Sequence, residues 1–245
     1  MRAVSWFSCG AASAVASELM LQKYKNDCVV VYCDTMATEH PDNARFFGDV
    51  EKWLGTTIQV IRSEKYQDVD DVFVRTRYMA GVLGARCTTE LKKLPRYKFQ
   101  LPDDVHTFGF TRDENKRIEA FEANNPELLV DWVLRDADIS KDGCYDRLKE
   151  VGIAMPVMYT LGYDNNNCLG CVKATSARYW NRIRRDFPEV FLRRIQQSRE
   201  LGVRLTRYKG ERVFLDELPE DYMPVEPKED LSCGPECAYT PQGHP

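Results

Sequence analysis

The first chemical feature of the sequence is a loop of small residues at positions 8–13, SCGAAS. It follows a short apolar segment and precedes a helical pattern. Such a turn points backbone N–H groups inward, and the helix N-terminus adds partial positive charge, so the loop favours a phosphate. The hydroxyls of Ser8 and Ser13 can donate to the same anion. An ordinary helix N-cap is the competing interpretation, since the endings of a Walker A loop and of a dinucleotide fingerprint are absent.

The second feature is the cysteine content, which is nine. An odd number behind an N-terminus without an apolar signal region argues against a secreted disulfide framework. Metal binding or thiol chemistry is favoured instead. Cys168 and Cys171 have the C-x-x-C spacing of metal ligands or redox thiols. Three interpretations stay open for them: an iron–sulfur cluster or other metal, a persulfide relay, and structural thiols.

The elements that position these residues follow from hydrophobic periodicity. Short apolar runs alternate with helical patterns, which predicts a β-α-β-α-β order and a mostly parallel sheet with helices on both faces. The predicted strands are residues 3–7, 28–33, 57–61 and 105–110, and the predicted helices are 12–23, 41–54, 67–79, 112–124 and 175–185, the last continuing beyond Pro188 to about 201. In such a sheet ligands bind at the carboxyl ends of the strands, where the 8–13 loop lies.

Composition and charge exclude some classes of function. No apolar run approaches the roughly 20 residues that span a bilayer, so we expect a cytoplasmic protein without a membrane role. The net charge of −4 gives no global signature of nucleic-acid binding. Between residues 173 and 212, however, 12 Lys and Arg face 4 Asp and Glu, and the balance reverses after 215. This stretch is either a solvated helix face, salt-bridged to the acidic tail, or a polyanion-binding surface.

Five segments in order resemble the PP-loop superfamily of adenine nucleotide α-hydrolases, and the PAPS reductases within it. They are residues 8–13 (SCGAAS), 32–42 (YCDTMATEHPD), 86–92 (RCTTELK), 109–117 (GFTRDENKR) and 167–173 (NCLGCVK). The resemblance covers about residues 3–185. It implies a doubly wound, mostly parallel, five-stranded α/β sheet of Rossmann-like type in residues 1–186. Residues 187–245 would form a helical, cysteine-bearing extension with an acidic tail.

The resemblance also implies roles at a nucleotide site. Asp34 and Thr35 would lie beside the nucleoside, and Arg112 and Lys92 would stabilise charge developing on phosphate. Mg²⁺ would bridge the phosphates, with Asp113 or Glu114 as ligand. The phosphates themselves would be held by Ser8, Cys9, Gly10, Ala11, Ala12 and Ser13.

A sulfur or metal function is implied for the cysteines. Cys87 matches the upstream cysteine of the family. With Cys168 and Cys171, and with Cys233, Cys237 or an open position as the fourth ligand, it would hold a 4Fe–4S cluster or zinc. Alternatively Cys168 and Cys171 are catalytic thiols that receive sulfur from a cysteine desulfurase.

Departures from the family narrow the predicted activity. Cys9 replaces a loop glycine, Ala12 replaces the aspartate of many PP-loops, and residues 232–237 (SCGPEC) lack the histidine of the reductase tail. PAPS reductases also lack that aspartate, so its absence does not exclude the use of ATP. The altered tail and the extra cysteines favour the sulfur-inserting ATP pyrophosphatases of tRNA thiolation and of DNA phosphorothioation (Dnd and Ssp types). The predicted function is ATP-dependent activation of a nucleic-acid oxygen, in a DNA backbone phosphate, for sulfur incorporation.

Two other functions remain as alternatives. One is a PAPS or APS reductase that releases sulfite, and the other is a non-catalytic nucleotide-binding subunit. The expected partners are a cysteine desulfurase and DNA with other modification subunits. Homo-oligomerisation stays open.

Overall fold

A computed structural model describes residues 1–81 and 84–224 and shows an α/β fold around a five-stranded, all-parallel sheet. The strand order is β3-β2-β1-β6-β7. Two short antiparallel pairs, β4–β5 and β8–β9, lie outside the sheet. The strands are β1 Ala3–Phe7, β2 Cys28–Cys33, β3 Gln59–Ile61, β4 Ala80–Gly81, β5 Gly84–Ala85, β6 Val105–Thr107, β7 Leu129–Val130, β8 Thr206–Tyr208 and β9 Glu211–Val213. The predicted α/β class with a doubly wound, five-stranded parallel sheet is confirmed.

The chain order of the strands creates a reversal at the centre of the sheet. From β1 the chain adds β2 and β3 on one side and then returns to add β6 and β7 on the other. The carboxyl ends of β1 and β6 therefore form a topological switch point, where open α/β sheets bind ligands. In register, Ala3 pairs with Cys28 of β2 and with Val105 of β6.

Helices cover both faces of the sheet, because the central strands alternate apolar side chains between the two faces. Phe7 and Tyr32 pack in the cluster covered by α1, α2 and α8. Trp6 and Cys33 pack in the opposite cluster, with α6 and the end of α5. The helices are α1 Ala11–Tyr24, α2 Asn43–Leu54, α3 Val69–Thr76, α4 Arg86–Thr88, α5 Leu94–Phe99, α6 Asn115–Asn124, α7 Val133–Asp136, α8 Lys141–Glu150, α9 Val157–Thr160, α10 Ala177–Asp186 and α11 Pro188–Glu200.

A π-helical segment, Thr89–Lys93, joins α4 to α5. Single π turns are rare and occur frequently at functional sites. This helical run was not predicted, because its apolar residues are too few to give a clear period. It packs across the sheet face that carries Cys33 and Trp6.

The C-terminal helices share a core with the middle of the chain. α11 begins at Pro188, whose fixed φ suits the first helical position. Trp180 of α10, Val190 of α11 and Phe73 of α3 belong to one cluster. The predicted domain boundary at 186/187 falls between these packed helices, and the division into two domains stays a prediction. Within the described residues, every helix is too short or too polar to cross a membrane.

Candidate functional site

The 8–13 loop is a closed turn built around one hydroxyl. Ser13 is 3% exposed, and its Oγ accepts from the backbone N–H of Ser8 at 3.0 Å and of Gly10 at 3.4 Å. The Ser8 hydroxyl donates to it at 3.1 Å, and it donates to the Gly10 carbonyl at 3.0 Å. Ser13 therefore shapes the loop from inside instead of facing an anion. The half-buried Ser8 remains as the phosphate-facing side chain of the loop, next to the N-terminus of α1.

The backbone at Cys9 adopts an uncommon conformation and accepts a hydrogen bond from another segment. Its φ of 58° lies in the left-handed region, at the position where the similar loops have glycine. Asn166 Nδ2 donates to the Cys9 carbonyl at 2.7 Å and to Asn43 Oδ1 at 2.9 Å. Burial, aided by the charge of Glu39, raises the pKa of the Cys9 thiol well above its usual range. Cys9 is thus a neutral, structural thiol at physiological pH.

The residues predicted beside the nucleoside lie at the same edge of the sheet, directly after β2. Thr35 Oγ1 donates to Glu39 Oε1 at 2.5 Å, and Asn43 Nδ2 donates to Glu39 Oε2 at 2.7 Å. Asp34 accepts from Arg62 Nε at 2.6 Å. The buried side chains of Thr35, Glu39 and Asn43 therefore form a polar network that joins this segment, through Asn166, to the 8–13 loop.

The C-x-x-C segment reaches the same edge. The Leu169 N–H donates to the Thr38 carbonyl at 2.8 Å, and Thr38 Oγ1 donates to Cys168 Sγ at 3.3 Å. The Cys171 N–H donates to the Tyr179 hydroxyl at 2.8 Å. Both cysteines are buried. Cys168 is therefore connected through one residue to the segment that carries Asp34 and Thr35.

Lys92 also lies near this edge, since its carbonyl accepts from Cys33 Sγ, at the end of β2, at 3.6 Å. Cys87 is half-buried against the core cluster that contains Phe73, Trp180 and Val190. No group of three or more His, Cys, Asp or Glu in residues 1–81 and 84–224 is arranged to hold a metal ion. Cys233, the fourth predicted ligand, lies outside the described residues, as does Cys237.

The side chain of Arg112 is paired with an exposed carboxylate. Its Nη1 donates to Asp138 Oδ2 at 2.9 Å, in the connection between α7 and α8. Glu114 accepts from the Thr111 N–H at 2.9 Å and pairs with Arg117, so its carboxylate caps its own turn. Neither carboxylate predicted to bind Mg²⁺ hydrogen-bonds to the 8–13 loop. Asp138 lines a cleft of about 340 Å³ along the flank of α1.

Gly109 brings the loop after β6 against the start of α1. A Cβ at this position would lie 2.7 Å from the Ser13 backbone nitrogen, so only glycine permits the contact. Tyr159, which the sequence did not single out, lies beside Gly10. Burial raises the pKa of Tyr159 to about 12, opposed by the N–H groups of Ala11 and Asn166 that face its hydroxyl. The predicted loop therefore lies between two other segments at the switch point.

No protein-family model matches this sequence, and no curated protein matches it. The resemblance to PP-loop enzymes therefore stays a prediction from the five sequence motifs.

Proposed function

We propose that the chain binds ATP at the 8–13 loop and cleaves it to AMP and pyrophosphate, activating an oxygen of a DNA backbone phosphate for replacement by sulfur. The observation that carries the proposal is the position of the loop. It leaves the central strand at the topological switch point and opens α1, a helix of 14 residues. Both the crevice and the helix terminus favour a phosphate chain there.

The preformed shape of the loop supports a nucleotide over an ordinary N-cap. A simple cap needs one side-chain acceptor for one N–H. Here the Ser13 hydroxyl accepts two backbone N–H groups and contacts Ser8 as well. A site whose geometry is fixed before binding loses less entropy when the ligand binds.

The neighbourhood of the loop supports sulfur chemistry on the activated group. The buried network of Thr35, Glu39 and Asn43 connects the loop to the segment after β2. Thr38 in that segment contacts Cys168. Cys168 charged as a persulfide would attack the activated phosphorus through its outer sulfur, and AMP would leave with the replaced oxygen. The Cys171 thiolate would then break the S–S bond, which releases the phosphorothioate and leaves a Cys168–Cys171 disulfide.

The test compares two serine-to-alanine variants on one helix. Ser13→Ala removes the hydroxyl at the centre of the loop. It should weaken ATP binding about 10- to 100-fold, because one or two hydrogen bonds that fix the shape of the loop are lost. Ser17→Ala is the matched control: its hydroxyl contacts Ser5 at 2.9 Å and donates to the Ser13 carbonyl at 2.8 Å, but it makes no hydrogen bond with the Ser13 hydroxyl that organises the loop. It should lose about 1 kcal/mol of stability and keep ATP affinity.

Activity is measured as AMP and pyrophosphate release with DNA and a cysteine desulfurase present. If neither product forms and Ser13→Ala binds ATP like the wild type, the proposal is wrong. Sulfite release from PAPS or APS that Cys233→Ala abolishes would establish the reductase instead. Tight ATP binding without turnover would establish a non-catalytic subunit.

A further inference from the structure

Arg96 is a buried cation without an anion. It is 0% exposed, and its Nε, Nη1 and Nη2 atoms find no hydrogen-bond partner in the described part of the chain. Its guanidinium lies over the ring of Tyr97, 4.6 Å from the centroid. A ring face attracts the charge but accepts none of the five N–H donors in their own plane. Native proteins rarely leave such groups unsatisfied, and an unseen ion is one of the usual reasons.

The residues around Arg96 add positive charge. Lys92 and Lys93, four and three residues earlier in the same helical run, are both buried. At helical spacing, residues three or four apart lie on one side of the helix. The segment therefore concentrates cationic side chains in an enclosed part of the molecule.

The neighbouring carboxylates are already paired with other arginines. Asp104 accepts from Arg2 at 2.8 and 2.6 Å. Glu90, on the π-helical segment, pairs with Arg86 at 2.8 Å. Neither carboxylate contacts Arg96, so its charge is not balanced by them.

His106 is neutral and does not accept a hydrogen bond from Arg96. Burial lowers its pKa to about 4, with Arg96 and Arg2 adding to the effect and Asp104 opposing it. Its Nδ1 accepts from Trp6 Nε1 at 3.0 Å, so this lone pair is not offered to Arg96. An anion near Arg96 would offset the positive charge that helps to lower the pKa of His106.

We propose that Arg96 is the centre of a second anion site, which takes a small tetrahedral oxyanion of the phosphate class. The planar fork of a guanidinium matches two oxygens of such an ion. The enclosure of Arg96 restricts the ligand to a small ion or one phosphate group. α5 lies on the sheet face opposite α1, so this site is distinct from the 8–13 loop.

The experiment measures thermal unfolding of the full chain in phosphate, sulfate or chloride at equal ionic strength. Phosphate and sulfate should raise the Tm of the wild type by several degrees, since ligands that bind only the folded state stabilise it. Because the 8–13 loop also favours phosphate, the Arg96 variants are compared in a Ser13→Ala background. There Arg96→Met should abolish this rise and, in chloride, unfold at or above the temperature of its Ser13→Ala parent, because it removes an unbalanced buried charge. Arg96→Lys keeps the charge without the fork and should show a reduced rise.

Two control variants test whether the phosphate response depends on the nucleotide loop or on the removal of any arginine. Ser13→Ala should keep the phosphate response, so failure of one site is distinguishable from failure of the other. Arg135→Met, at an arginine paired with Asp136 on the surface, should also keep it. AMP and ATP arms on the Ser13→Ala variant distinguish a nucleotide phosphate from the free ion.

An equal response in the Ser13→Ala parent with and without Arg96→Met, or no response in the wild type, overturns the proposal. So does an Arg96→Met variant that is destabilised in chloride and still responds to phosphate. That result would assign Arg96 a purely structural role on the ring of Tyr97.

Discussion

His106 lies in β6 with its imidazole buried between the ring of Trp6 and that of Phe108. Burial, with the charges of Arg96 and Arg2, lowers its pKa to about 4. The neutral ring accepts the Trp6 indole N–H through Nδ1, which assigns the ring proton to Nε2. This histidine is therefore a structural hydrogen-bond acceptor in the core.

The lowered pKa of His106 predicts a pH dependence of stability. In the unfolded chain the pKa returns to about 6.5, so below that pH the unfolded state binds more protons than the folded state. Neutral His106 therefore contributes to the free energy of unfolding above pH 6.5. This contribution is lost as the pH falls towards 4, by about 3 kcal/mol in total. His106→Gln keeps an acceptor for Trp6 and should flatten this slope. Urea unfolding at pH 7.0, 5.5 and 4.5 checks it, and equal slopes for both proteins would contradict it.

Some site residues were predictable one by one and others were not. The 8–13 loop and Asp34 follow apolar strands, and the carboxyl ends of parallel strands meet at one edge, so their proximity followed from the pattern. Asn166 contacts Cys9 across 157 residues, and only the packed chain shows which amide of an asparagine run is buried. The direction of Arg112 was equally hidden, because it depends on Asp138 in a distant connection.

At the scale of elements, long segments with a clear hydrophobic pattern were predicted correctly, and short elements were not. β1 and β2 have the predicted bounds, because each is an apolar run buried on both faces. The predicted helix over 41–54 begins two residues late, at Asn43. β7 has only two residues, too few to show a period, although the resemblance implied a fifth strand. α8 was missed because its exposed face is strongly polar and few apolar residues mark its period.

The contact between the loop after β6 and α1 gives an element-scale prediction. Gly109→Ala would place a Cβ 2.7 Å from the Ser13 nitrogen, so the two elements must separate. We expect a loss of about 1–3 kcal/mol of stability, as for other overpacked positions. ATP affinity should fall at the same time, because the first turn of α1 moves.

Gly48→Ala is the control for this prediction. Gly48 lies inside α2, and a Cβ there meets nothing within 4 Å. Alanine should be neutral or add up to about 1 kcal/mol, because it favours the helix. Urea unfolding and ATP titration compare the two variants. Equal stability of both would show that the loop after β6 does not constrain α1.

At the scale of the whole molecule, the basic stretch is largely used internally. Arg184 donates to two carbonyls of the 215–218 turn at 3.0 and 2.8 Å. Arg199 pairs with Asp216 and Glu217 at 2.9 Å each. These arginines fasten the chain after β9 to α10 and α11. A polyanion-binding surface stays a prediction for exposed side chains such as Arg178.

One ion pair connects the C-terminal helices to the middle of the chain. Arg194 of α11 is 2% exposed at its side chain and pairs with Asp70 of α3. Its Nε donates to the Gly170 carbonyl, between the two cysteines, at 3.0 Å. Burial opposes ionisation of Asp70, but the charge of Arg194 and its hydrogen bond prevail and lower the pKa. The pair therefore stabilises the packing of α11, α3 and the C-x-x-C segment.

Asp70→Asn should destabilise the protein by about 2–4 kcal/mol at pH 7, because it leaves a buried guanidinium without its counter-charge. Since the folded pKa of Asp70 is below 3.8, the pair's contribution is present above that pH and is lost as the pH falls through the folded value. The two proteins should therefore converge in stability under acid. Asp71→Asn is the control, because Asp71 pairs at 3.3 Å with an exposed Arg75 and should change stability by less than about 1 kcal/mol. Urea unfolding at pH 7 and pH 3 measures both, and an Asp70→Asn variant as stable as Asp71→Asn would show that α11 does not depend on this pair.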